Sequence, residues 1–453
     1  MSKVTQSLTS IAEQVVSRAK KAGANVAEAV AREGTELEVK VRLGEPELVQ
    51  EALSKAVGLR VIVDDRVATA YSSDVTSNGL DALVADALEL ASLSAPDPFA
   101  APPSSDLLAR TFPELDLWDA NAAEITAVRG LELAKACEAA AREADPRITN
   151  SDGASFSRGA SAFALVTSGG FAGAYLGSNA SLVVEPVADD KDGKKQRAAY
   201  WDSKRFLADL EDAQAIGREA TKRTVAKLGA RKVPTAEMPV VFHPDAGGSL
   251  LGLLLSCVSG GAVFRRSSYL MGKEGESIAD AAITIVDDPL IRRGPGSRPF
   301  DGEGLASRKN VVVERGVLKT YLLDAYSARK LGKESTGSAG RGTGGSPHVS
   351  ATNFVLEAGT LSPEAIVKDV KQGLYVTSMM GFGFNAVTGD FSRGAMGFMI
   401  ENGELTHPVA EVTVSLGFTE LWKRIDAVGS DLKLRSRVAT PTFRVARMTV
   451  AGS

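Results

Sequence analysis

The chain has 453 residues, 44% of them hydrophobic and 24% charged, and its 52 basic and 56 acidic side chains leave a net charge of −4. That length exceeds one ordinary core and calls for two or three domains of a soluble globular protein. No basic run is longer than Lys194-Lys195 with Arg197 nearby, which argues against nucleic acid as a partner.

Val4, Leu8, Ile11, Val15 and Ala19 fall at helical spacing and predict an amphipathic helix over 3–22. Leu37, Val39 and Val41, then Leu59, Val61 and Val63, alternate as two strands of an antiparallel sheet. A second helix is expected over 78–93. The proline-rich stretch 94–103 then ends a first unit, 1–103. A third helix near 123–142 opens a second unit, 104–231. Strand-like stretches follow at 148–153, 161–167 and 173–176, then a charged turn at 189–195 and a long helix over 207–228. The helix-plus-hairpin order recurs loosely between the two units, a hint of duplication.

Lys232-Val233-Pro234 reads as a linker into a third unit, 232–453, where glycines and short strands dominate. Strands are expected at 239–242, 311–313, 352–356, 395–401 and 409–414, with an Asn402-Gly403 hairpin turn. The expected class is α+β: an N-terminal helix and antiparallel-sheet region, then a mainly β, barrel-like C-terminal domain.

Cys137 and Cys257 are the only cysteines, so a disulfide framework is excluded and a reducing, cytoplasmic setting is expected. Both read as core filler. Between Asp245 and Arg265 there is no charge, a length that can span a bilayer. Only 250–258 is strongly apolar, and glycines and serines crowd the rest. A buried helix followed by a glycine turn is therefore expected, with no membrane partner.

Chemistry is sparse. His243, His348 and His407 are too far apart in sequence for one helix to present two imidazoles to an ion. The stretch 337–345 (GSAGRGTGG) lacks the Lys-Ser/Thr ending of a phosphate loop and reads as a flexible loop beside a strand. No Gly-x-Ser-x-Gly elbow is present. Asp287, Asp288, Asp301 and Glu303 lack calcium-loop periodicity and read as solvated loop carboxylates.

The C-terminal half carries many motifs in a fixed order. They include 259–268 (SGGAVFRRSS), 298–304 (RPFDGEG), 322–331 (LLDAYSARKL), 388–395 (TGDFSRGA) and 400–404 (IENGE), then 406–409 (THPV) and 428–432 (VGSDL). Together they resemble the TldD/PmbA metallopeptidase family, and looser matches at 71–74, 96–99 and 150–153 extend the likeness over nearly the whole chain. TldD members of that family carry His-Glu-x-x-x-His on the helix after the first C-terminal strand, plus a cysteine near the C-terminus. An ungapped placement puts Leu251, Gly252 and Ser256 at the histidine and glutamate positions, and 437–440 (RVAT) offers no thiolate. These side chains neither ligate zinc nor activate water. The resemblance is therefore to the PmbA, or TldE, branch.

That resemblance implies a heterodimer with a TldD-like subunit that holds zinc and cleaves unfolded peptides, in peptide maturation or antitoxin degradation. This chain would bind substrate backbone, with no metal or catalytic residue of its own. A stand-alone homodimeric peptide-binding scaffold is the alternative. Holding an extended backbone suits strand addition beside glycines. The candidate is 379–392, with Gly381, Phe382, Gly383, Asn385, Gly389, Asp390, Phe391 and Ser392 as contacts; a tight turn packed in the core is the competing reading. A valine at Gly383 is expected to weaken peptide binding and leave assembly intact.

Overall fold

The computed structural model describes residues 2–452. The Ser2 hydroxyl accepts from the Thr5 N–H and starts α1 (Lys3–Lys21), which buries Leu8, Ala12, Val15 and Ala19. Then come β1 (Val26–Arg42), β2 (Glu45–Val63), β3 (Arg66–Ser72) and α2 (Ser77–Leu93). The next stretch supplies α3 (Ala120–Ala123), α4 (Ala127–Glu143), β4 (Ile148–Thr167), β5 (Ala172–Asp189), β6 (Lys195–Arg197), β7 (Tyr200–Lys204) and α5 (Ala213–Val225).

These strands form one seven-stranded sheet, ordered β3-β2-β1-β4-β5-β6 with β7 beside β5. β1 lies between β2 and β4, so strands of the first two expected units share a single sheet. Along β1, Ala27, Ala29 and Ala31 meet α1 and α2, while Leu37, Val39 and Val41 meet α4 and α5. All six positions have the same parity, so the two helix pairs lie side by side on one face. The other face carries Val30, Phe163, Leu165 and Tyr175 against Phe300 of the C-terminal half.

Two expectations change here. The strand fragments at 148–153 and 161–167 are one twenty-residue strand, because pairing with β1 and β5 carries the small and polar residues between them. The helix expected over 207–228 begins only at Ala213, where the Asp212 carboxylate caps the Ala215 N–H.

The C-terminal half contains β8 (Ala236–Phe242), α6 (Pro244–Val258), α7 (Gly260–Phe264), β9 (Ile285–Asp287), β10 (Asn310–Glu314), β11 (Val317–Leu318) and α8 (Ala325–Lys330). It continues with β12 (Ala339–Gly340), β13 (His348–Val349), β14 (Phe354–Leu356), α9 (Pro363–Lys368), β15 (Gln372–Met380) and β16 (Ser392–Glu401). β17 (Glu404–Ser415), α10 (Phe418–Leu421), β18 (Ile425–Val428), β19 (Val438–Ala439) and β20 (Phe443–Ala451) complete it.

β17-β16-β15-β8-β20 is a consecutive run, and β17 also pairs with β20, from Thr413↔Ala451 to Ser415↔Thr449. The ring closes into a five-stranded barrel, as the glycine-punctuated strand pattern predicts. Asn402 and Gly403 turn the β16–β17 hairpin with φ of 52° and 82°. A second sheet, β11-β10-β9-β14-β19, shares one core with the barrel and α6, through Leu250, Leu254, Ile285, Phe354 and Phe443. Among the described residues, no helix is long and apolar enough to cross a membrane.

Candidate functional site

His243 ends β8 and caps α6: its Nδ1 accepts from the Asp245 N–H at 3.1 Å. Burial, outweighing the nearby Asp245, lowers the His243 pKa and keeps the ring a neutral acceptor. Along α6, Leu250, Leu251, Leu254 and Cys257 enter the core, while Ser256 is exposed and a Cβ added to Gly252 would meet only open space. Leu251 therefore does not share the outward face with Gly252 and Ser256. At 3.6 residues per turn it points about 100° away from Gly252.

The stretch 437–440 lies against this helix. A Cβ on Gly248 would stand 3.6 Å from the Val438 carbonyl oxygen, and one on Gly247 would stand 2.5 Å from Thr440 Oγ1. The stretch 437–440 thus meets the N-terminal end of α6 at Gly247 and Gly248, about one turn or more before the vacant motif positions Gly252 and Ser256. Together they offer glycine, serine, leucine, valine, alanine and threonine. Among the described residues, no group of three or more His, Cys, Asp or Glu is placed to hold a metal ion. This donor set does not fit zinc.

Two cavities flank the junction. One, of ≈ 790 Å³, lies over the α6 N-terminus and is lined by Tyr200, Glu211, Arg223, His243, Ser249 and Arg435, among others. The Tyr200 hydroxyl donates to Glu211 Oε2 at 2.9 Å, and burial, then Glu211, pushes its pKa up to about 12. The other, of ≈ 680 Å³, lies between the seven-stranded sheet and the C-terminal half and is lined by Arg32, Arg205, Arg298, Arg341, His348 and Arg437, among others. Ser436 lines both, so the stretch 434–438 is a shared wall. Sequence reasoning missed the second cavity, because its arginines come from separate stretches that only the fold brings together.

The candidate peptide contacts sit at the tip of the β15–β16 hairpin. Gly381 and Gly389 turn the chain there at φ of 81° and 80°. Phe384 and Phe391 pack on Phe418, with ring centroids 4.6 and 5.4 Å away, while Phe382 is fully exposed. The backbone is engaged internally: Asn385 N–H donates to the Asp390 carbonyl, Gly389 N–H to that of Asn385, and Ser392 N–H to that of Gly383. β16 is paired on both sides, by β15 and β17, whereas β8 pairs β15 only at Leu374–Val376, so Thr377–Met380 has no strand on that side as it enters the tip. The contacts also border an open depression of ≈ 670 Å³, lined by Gly383, Asn385, Asp390, Phe391, Ser392 and Leu416, among others. A free edge also exists in the N-terminal sheet, where β3 covers only Val57–Val63 of β2.

The histidines occupy three settings. His243 and His348 line different cavities, and His407 sits on β17 beside Thr406. Of the acidic cluster, only Asp288 is partly exposed. Asp287, Asp301 and Glu303 are buried, because their carboxylates accept backbone N–H groups of the loops around them. The glycine-rich stretch is docked rather than free: a Cβ on Gly58 of β2 would stand 1.7 Å from the Thr343 carbonyl oxygen.

A closed barrel built against a long antiparallel sheet, with cavities around a helix that follows the first barrel strand, is the architecture of a peptidase family. Residues 235–452 match the profile of the PmbA/TldA metallopeptidase C-terminal domain, residues 115–228 its central domain and residues 27–91 its domain 1. The chain is 34% identical over 426 residues to the Metalloprotease PmbA of Escherichia coli O157:H7, covering 94% of this chain and 92% of that protein. It is 33% identical over 449 residues to the Metalloprotease PmbA homolog of Haemophilus influenzae, covering 99% and 97%. A Bacteroides thetaiotaomicron crystal structure described as a modulator of DNA gyrase superposes with a TM-score of 0.91 at 27% identity, covering 98% of each chain. The chain belongs to the PmbA/TldD family, in its PmbA (TldE) branch.

Proposed function

We propose that this chain is the non-metal, peptide-holding subunit of a TldD/TldE-type protease of the cytoplasm. A TldD-like partner supplies zinc and cuts unfolded peptides. The observation that carries this reading is the junction of α6 with 437–440. There, Gly247, Gly248, Ser249 and Arg437–Thr440 offer no metal donor set, and Gly252 and Ser256 farther along α6 add none, yet cavities of ≈ 790 and ≈ 680 Å³ open on either side of a common wall. The junction is built to hold a chain without the means to activate water. The hairpin tip adds apolar and polar contact through Gly381, Phe382, Gly383, Asn385, Gly389, Asp390, Phe391 and Ser392.

Co-expression with a chain carrying His-Glu-x-x-x-His tests the reading. A stable heterodimer that cleaves an unfolded peptide, with neither zinc nor cleavage in the isolated chain, is expected. One tightly bound zinc per isolated chain, or a homodimer that ignores the second subunit, overturns it.

A further inference from the structure

The cavity between the seven-stranded sheet and the C-terminal half has an unbalanced charge. Seven of its lining side chains are arginine or lysine, against one carboxylate, that of Asp301. Asp301 is already committed: it accepts the N–H groups of Glu303, Leu305 and Ala339. Four of the cations are committed as well. Arg341 pairs with Glu28, Arg293 with Asp116 and Asp209, and Lys204 with Asp202. Arg205 donates to the carbonyls of Gly294 and Pro295.

Arg32, Arg298 and Arg437 remain, and none has an ion pair among the described residues. The Arg298 side chain gives one hydrogen bond, to the Ser350 carbonyl at 3.2 Å, while its Nε is buried without a partner. A buried donor left open beside unpaired guanidinium groups is costly unless an acceptor arrives. Burial first, and the like charge of Arg437 after it, hold Arg205 below its ordinary pKa. Arg298 is partly offset by the buried Asp287 and Asp301 carboxylates, whose charged forms it favours, so the cations left without a counter-charge are Arg32 and Arg437.

We propose that this cavity binds a carboxylate of the held peptide, from its C-terminus or from an acidic side chain. Guanidinium forks match a carboxylate bidentately. A volume of ≈ 680 Å³ admits the end of a peptide, and Ser436 borders both this cavity and the one over the α6 N-terminus. The inference rests on the peptide-holding reading and adds a charge preference to it.

Fluorescence anisotropy on the purified full chain tests it, with labelled unfolded peptides of one sequence in four forms. The C-terminus is free or amidated, and the residue before it is Glu or Gln. Removing the recognised carboxylate is expected to weaken binding about tenfold or more, and the form that loses affinity identifies its source. Arg32 and Arg437 are exposed, so Arg32→Glu and Arg437→Glu leave the core intact. Each is expected to abolish the discrimination, and added salt to weaken only the carboxylate-bearing forms. Equal binding of all four peptides, or discrimination that survives both substitutions, overturns the carboxylate site while peptide holding stands. No binding of any form overturns both.

Discussion

Arg341 of the C-terminal half donates to Glu28 of β1, its Nη1 standing 2.8 Å from Glu28 Oε2. Arg60 of β2 reaches the same oxygen at 2.9 Å, and all three side chains are buried. Burial is the largest single influence on Glu28 and opposes its charge. The two guanidinium groups together outweigh it and hold the pKa below the ordinary value. Glu28→Gln should cost about 3–5 kcal/mol at pH 7, since two buried cations lose their counter-charge. A lowered folded pKa gives stability that is present above the ordinary carboxylate range and is lost as the pH falls through the folded value. Urea unfolding should therefore show the two proteins converging in acid; a constant difference down to pH 3 contradicts this.

Glu303 titrates in the opposite sense. Burial, then the neighbouring Asp301 charge, pushes its pKa up to about 8. Burial raises the Asp301 carboxyl as well, so the two acids titrate as a pair; Asp301 accepts three backbone N–H groups and Glu303 only that of Ala325, which favours the proton on Glu303. With the folded pKa raised, the favourable protonated state is complete below the unfolded value of 4.5 and is lost as the pH climbs towards 8. Glu303→Gln, which mimics the protonated acid, should flatten that decline. Thermal melting between pH 5 and 9 checks it, and an unchanged slope counts against the assignment.

The hairpin tip separates packing from contact. A Cβ on Gly383 would stand 1.7 Å from the Ser392 carbonyl oxygen, so Gly383→Val should break the turn rather than act on peptide binding alone. Phe382→Ala is the cleaner probe. Because the ring is fully exposed, stability should change by less than about 0.5 kcal/mol while peptide affinity of the heterodimer falls. Unaltered affinity would remove the tip from the peptide path.

Both thiols should be silent in the native protein. Burial pushes Cys137 up to about 12 and Cys257 up to about 11, and neither side chain is exposed. An aromatic disulfide reagent at pH 8 should label two thiols per chain only in denaturant. Rapid labelling of the native chain would place one of them at the surface.

Periodicity made α1, α2 and the barrel strands β8, β16 and β17 legible, because each buries a regular set of apolar residues, but it left β15 and β20 unread. It failed on β4, where 154–160 (ASFSRGA) is mostly small or polar. Pairing on both edges decides that segment, and neighbours distant in sequence supply it. The motif order gave the family, and the side chains at the expected ligand positions gave its branch. It did not reveal that Leu251 turns inward, since a linear motif carries no azimuth. The acidic cluster was misread for a related reason: the partners of Asp301 and Glu303 are backbone amides, which have no one-letter signature.

β1, β4 and β5 run unbroken beneath both helix pairs, and this has a thermodynamic consequence. Neither pair can lose its floor without exposing the other. Amide hydrogen exchange should therefore find the protected core of residues 26–189 opening as one cooperative block, with no hinge inside it.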